Sequence, residues 1–99
     1  MNTYANEKFL QALDILVLST HTLQQRLGDA VVYQLIHIDS KNLPDSIKEQ
    51  FIEFMNGMTS ETAQGNEGKI AATVSKMSDD KAIDLARIFM NIYHQLNKV

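Results

Sequence analysis

Apolar side chains recur along this chain at three- and four-residue steps, interrupted by glycine, proline and short polar runs. That spacing predicts helices throughout. Phe9, Leu13, Leu16, Thr20, Leu23 and Leu27 line one face of a first helix, and Leu10, Val17 and Leu18 widen it. Asn6 is placed to cap that helix, with Glu7 favourable at its positive end. Gly28 can take the left-handed conformation that ends a helix, and Asp29 can cap the next. From Ala30 to about Lys41 the chain holds good strand formers in Val31, Val32, Tyr33, Ile36 and Ile38. Val31, Leu35 and Ile38 also fit helical spacing and no second strand is available for pairing, so this segment is predicted to be helical.

Pro44 suits the first turn of a helix, and Ser46 with Glu49 has capping-box spacing. Ile47, Phe51, Phe54, Met55 and Met58 follow as an apolar stripe, with Lys48, Glu49 and Glu53 opposite. From Thr59 to Gly68 there is no large apolar residue and there are two glycines, which predicts the main, mobile loop. A short helix from about Lys69 carries Ile70, Val74 and Met77. Ser78 then caps a final helix whose first turn holds Asp79 and Asp80. Ile83, Ala86, Phe89, Met90 and Tyr93 lie on one side of it, and Leu85, Ile88, Ile92 and Leu96 on the adjacent side. So wide an apolar surface belongs either at the centre of a bundle or half buried in an interface. The expected architecture is a single all-α domain over residues 1–99, an antiparallel bundle of four or five helices.

Composition sharpens the second possibility. Apolar residues make up 44% of only 99, a surplus that points to self-association or a docked partner. The net charge of −3 comes from nine Lys and Arg against twelve Asp and Glu. The arginines are Arg26 and Arg87 alone, and no basic cluster forms to neutralise phosphates, so nucleic-acid binding is not expected. The absence of cysteine removes disulfides and thiolate metal sites and fits a reducing, cytoplasmic setting. The opening Met1 to Glu7 has no cationic segment ahead of an apolar run, so no secretory signal is expected. The apolar run Ile15 to Leu18 is far short of a membrane span.

Reactive constellations are sparse. His21, His37 and His94 form no Glu-x-x-His or His-x-x-x-His pair, so the spacing that a helical metal site needs is missing. Glu49 and Glu53 are one turn apart but stand opposite the apolar stripe, which reads as a solvated face rather than a catalytic carboxylate pair. No nucleophile elbow, phosphate-cradling glycine loop or dinucleotide fingerprint is present. No catalytic, cofactor or metal residue is expected, and the chain reads as non-enzymatic.

Thr20-His21-Thr22-Leu23-Gln24-Gln25 partly resembles the phosphoacceptor motif of histidine phosphotransfer domains, which are helical bundles of about this size. That family places a lysine three residues after the histidine and a glycine next. Here those positions hold Gln24 and Gln25, and the match reduces to His-x-Leu. The resemblance implies a phosphorelay role for His21, but the cation that would neutralise phosphoryl charge is gone. The alternative is that His21 is a polar-face residue of the first helix.

Two further stretches carry a second resemblance. One is Leu27-Gly28-Asp29 followed by Val32 and Leu35. The other is Lys69-Ile70-Ala71-Ala72-Thr73-Val74-Ser75-Lys76-Met77-Ser78-Asp79-Asp80, running through Leu85-Ala86-Arg87-Ile88-Phe89 to Leu96-Asn97. Together they resemble the N-terminal helical region of bacterial phosphoenolpyruvate carboxylases, where a Leu-Gly-Glu-type helix junction precedes a helix ending in Leu-Ser-Asn-Asp-like residues. An Ala-Arg-Ala-Phe helix and a Leu-Ala-Asn segment follow there. The match fails from about Asp39 to Gly68. The family's chemistry depends on a Thr-Ala-His-Pro motif, on Arg/Gly-rich loops and on acidic metal ligands. This chain has its only proline at Pro44 and no Arg-Gly pair, so the resemblance implies a scaffold segment and no catalytic residue.

The functional expectation is a non-catalytic helical protein-binding module, a regulator or inhibitor of a partner protein. A phosphotransfer protein using His21 and a detached phosphoenolpyruvate carboxylase-like segment are the alternatives. Met55, Met58, Met77 and Met90, with Phe51, Phe54, Phe89 and Tyr93, lie on stripes that serve either as core or as an adaptable groove. Phe54, Met55, Met58, Ile88 and Ile92 are the expected contact residues, serving a homodimer through the final helix or a different protein.

Overall fold

The computed structural model describes residues 3–98; Met1 and Asn2, the start of the stretch read for a secretory signal, and Val99 lie outside the described residues. The described chain forms five α-helices and no strand. In order they are α1 (Thr3–Leu18), α2 (Leu23–Tyr33), α3 (Asp45–Met58), α4 (Gly65–Lys76) and α5 (Asp79–Leu96). None of these helices is long and apolar enough to cross a membrane.

The wide apolar surface of α5 is explained by its central position. It packs against α1, α2 and α3, while α4 lies across α2 and α3. Leu85, Phe89, Ile92 and Leu96 are buried and Ala86, Ile88, Met90 and Tyr93 half-buried, leaving only Ile83 of that set exposed. Phe89 meets Phe9 at 5.2 Å between ring centroids and Phe54 at 6.2 Å, and Phe9 meets Phe51 at 6.1 Å. This phenylalanine cluster joins α1, α3 and α5, and burying each such ring contributes roughly 1.5–3 kcal/mol. Much of the apolar surface of this helix is therefore taken up inside one chain, while Ile83 stays exposed and lines a groove on its flank with Ala86 and Met90.

The first helix is shorter than its periodicity predicts. It starts at Thr3, so Asn6 lies within it rather than capping it, and it ends at Leu18. Ser19 to Thr22 break the chain direction. Their hydroxyls offer the backbone an alternative to the helix ladder. The Ser19 Oγ accepts from the His21 N–H at 3.2 Å, and the Thr22 Oγ1 caps α2 by accepting from the Gln25 N–H at 3.2 Å. His21 accordingly sits in the turn, not on a helix face.

Gly28 lies inside α2 and does not end a helix, and Asp29 is interior too. A Cβ at Gly28 would stand 2.9 Å from the Val74 Cγ2, so glycine lets α2 and α4 pack closely. Ala30 to Tyr33 complete α2. The rest of the segment predicted as a helix is two 3-10 turns, Leu35–His37 and Ser40–Asn42, that drop Leu35, Ile38 and Leu43 into the core. Asp39 stabilises the second turn by accepting from the Lys41 N–H at 3.0 Å.

Pro44 stands just before α3, and no side-chain cap forms there despite the spacing of Ser46 and Glu49. The connection after α3 is shorter than expected because α4 already begins at Gly65, whose φ of 74° favours glycine. It is also tied down. The Glu61 N–H donates to the buried Thr73 Oγ1 at 3.0 Å, and Lys81 reaches Ser60 at 2.8 Å. Ser78 caps α5 as predicted, accepting from the Lys81 N–H at 3.1 Å.

Candidate protein-binding surface

The structure separates the expected contact residues. Phe54, Met58 and Ile92 are 0% exposed, so a partner cannot reach them on the folded chain. Their assignment to a docking surface is corrected: they face the α3–α5 contact and the phenylalanine cluster. Met55 is half-buried, and Ile88 is half-buried in an open groove between α3 and α5 that Gln50, Glu53, Asn91 and Gln95 also line.

The large apolar residues most exposed to solvent lie elsewhere. Leu18 is 77% exposed, Val17 67%, Tyr33 64%, Tyr4 51% and Leu10 50%, ahead of Ile83 and Ile52. The buried side of α1 is Ala5, Phe9, Ala12 and Leu16, and the helical period puts Leu10, Val17 and Leu18 on the opposite side. They do not widen the core face, as their hydrophobicity predicts. Ala5 and Ala12 complete that face instead, and their small size hides the true phase in the sequence.

Ile15, Leu18 and Tyr33 line a cleft of about 390 Å³ between α1 and α2, with Asp14, Ser19 and Asp29 completing it. Asp14 also stands among the exposed apolar residues of α1: Leu10, Asp14, Val17 and Leu18 occur at i, i+4, i+7 and i+8 and share one face. Polar contacts join α1 to α2 and to the residue that follows it, at both ends of the helix pair. Arg26 donates from Nη1 to the Leu16 carbonyl at 2.6 Å, and Lys8 donates to the Gln34 Oε1 at 3.3 Å. Lys8 also lies 5.6 Å from the Tyr4 ring centroid. These are the only Lys or Arg in the α1 and α2 sequences. Neither the Asp14 nor the Asp29 carboxylate has a hydrogen-bond or ion-pair partner among the described residues.

The other candidates are dispersed. Gln24, at the position where the phosphotransfer motif places a lysine, spends its amide on the Met77 carbonyl at 3.3 Å and the Asp79 carboxylate at 2.7 Å. It thereby ties the α1–α2 turn to the α4–α5 junction. His21, His37 and His94 are exposed on separate elements, and Glu49 and Glu53 are exposed on α3. Among the described residues no group of three or more His, Cys, Asp or Glu is placed to hold a metal ion. Leu27-Gly28-Asp29 forms no helix junction, whereas Met77-Ser78 does connect two helices.

No family model matches this chain, and no match was found among curated proteins or solved structures.

Proposed function

We propose that this protein is a non-catalytic binding module, cytoplasmic in setting, that regulates or inhibits another protein by docking through the α1–α2 surface. The observation that carries the reading is the exposure of Leu18 and Tyr33 at one cleft, with Leu10 and Val17 exposed on the same helix, all four more exposed than Ile83 on the flank of α5. Contiguous exposed apolar residues are costly in a free chain and characteristically mark a contact surface. Covering each is worth roughly 1.5–3 kcal/mol, and aromatic and aliphatic anchors of this kind dominate interface energetics. No residue on this surface is assigned a catalytic role.

Affinity capture with the intact chain tests the proposal, comparing the natural sequence with Leu18→Asp and Ile88→Asp. A protein held by the natural chain and by Ile88→Asp, but released by Leu18→Asp with circular dichroism unchanged, supports it. Equal retention by Leu18→Asp contradicts it.

A further inference from the structure

Asp14 stands in the middle of the apolar strip formed by Leu10, Val17 and Leu18, and Asp29 lines the adjoining cleft. From this we infer that the surface receives a basic amphipathic helix, its apolar side chains against Ile15, Leu18 and Tyr33 and its Lys or Arg reaching Asp14 and Asp29. The inference rests on the protein-binding reading above and specifies the chemistry of the partner.

The reasoning is a matter of what covering the strip does to the carboxylate within it. A partner that buries Leu10, Val17 and Leu18 also takes Asp14 out of water. An ionised carboxylate without a counter-charge is expensive to bury, so the covering surface has to bring a cation. Within α1 and α2 neither cation is paired with these carboxylates, because Lys8 and Arg26 direct their hydrogen bonds to Gln34 and the Leu16 carbonyl.

The spacing of the strip matches a helix. Leu10 and Val17 are seven residues apart on α1, about 10.5 Å along its axis, which is the spacing of two turns on a partner helix. The same charges disfavour the other occupants. A second copy docking by this face would bring its own Asp14 and Asp29 against the first, in a chain of net charge −3. An anionic membrane surface would meet the same repulsion.

Two synthetic amphipathic helical peptides of about 18 residues test this. Both carry leucine at i, i+4 and i+7; one has lysine on either side of that stripe and the other glutamate. The isotopically labelled full chain is titrated with each, and amide shifts are followed by NMR. The lysine peptide is expected to move amides in 10–19 and 29–33 and to bind at least roughly ten-fold tighter than the glutamate peptide. Asp14→Lys is expected to reverse that preference. Equal binding of both peptides at these amides, unchanged by Asp14→Lys, keeps the docking surface and overturns the charge assignment. If neither peptide moves these amides, the inference falls, and the binding reading falls with it at this surface. Movement of the same amides on concentrating the protein alone, or on adding anionic phosphatidylserine vesicles, assigns the face to a second copy or to lipid and also overturns the inference.

Discussion

Arg26 of α2 donates its Nη1 to the Leu16 carbonyl of α1 at 2.6 Å, placing a fixed cation on the carbonyl end of the helix that bears the apolar strip. A hydrogen bond to a charged donor is worth roughly 1.5–3 kcal/mol, and a cation here also complements the helix dipole. The half-exposed setting and the buried Arg26 Nε, which has no partner, pull the net value toward the lower end. Arg26→Ala is therefore expected to lower stability by about 1.5 kcal/mol in urea denaturation. Arg26→Lys should recover only part of this, since a flexible ammonium does not reproduce the guanidinium geometry.

Two glycines should respond to alanine for different reasons. A Cβ at Gly57 would come within 2.5 Å of the Leu85 Cδ2, with Cδ1 and Cγ also close, so the obstacle is packing between α3 and α5. Overpacking costs roughly 1–3 kcal/mol and the helix preference of alanine returns about 1, so a net loss of about 1 kcal/mol is expected. Leu85→Ala added to Gly57→Ala should cost less than the sum of the two single changes. At Gly65 there is nothing within 4 Å, but φ is 74°. Gly65→Ala should cost about 1 kcal/mol through backbone strain alone, and no second-site truncation should relieve it.

Thr73 is the one buried polar or charged residue among those described, and its Oγ1 holds the Glu61 N–H. Thr73→Val keeps the shape and deletes the acceptor. A loss of about 1 kcal/mol is expected, with faster hydrogen exchange at the Glu61 amide while α5 stays protected.

Surface and core substitutions should part company. Phe54→Ala and Ile92→Ala empty fully buried positions and are expected to cost roughly 2–5 kcal/mol. Val17→Asp and Leu18→Asp change residues that are mostly in water, and an anion in the last turn of α1 should cost each only about 0.5–1.5 kcal/mol. Thermal unfolding of the four variants side by side reads the difference.

Much of the fold is legible in the sequence, and its failures have local causes. The final helix declares itself through the Ser78 cap, the acidic first turn and a sustained apolar period. The α3 stripe is read as clearly. The break at Ser19–Thr22 is hidden because Leu16, Thr20, Leu23 and Leu27 keep helical phase across it. Gly28 carries the composition of a helix end, but its role is set by Val74, a residue distant in sequence. The binding surface is the least legible part. A wide apolar face on α5 does not reveal how much of it three neighbouring helices will cover, so Phe54, Met58 and Ile92 are drawn toward the surface by a sequence reading. The exposed strip on α1 is missed because Ala5 and Ala12, rather than the larger residues, mark the buried phase.

Site-specific photocrosslinking tests the central claim most directly. A benzophenone amino acid is placed singly at Leu18, Tyr33, Ile83 and Ile88, and the chain is irradiated in its native extract. The account predicts a shared crosslinked partner from Leu18 and Tyr33, and none from Ile83 or Ile88. A partner captured only from Ile83 or Ile88 would contradict it, moving the contact to the flanks of α5.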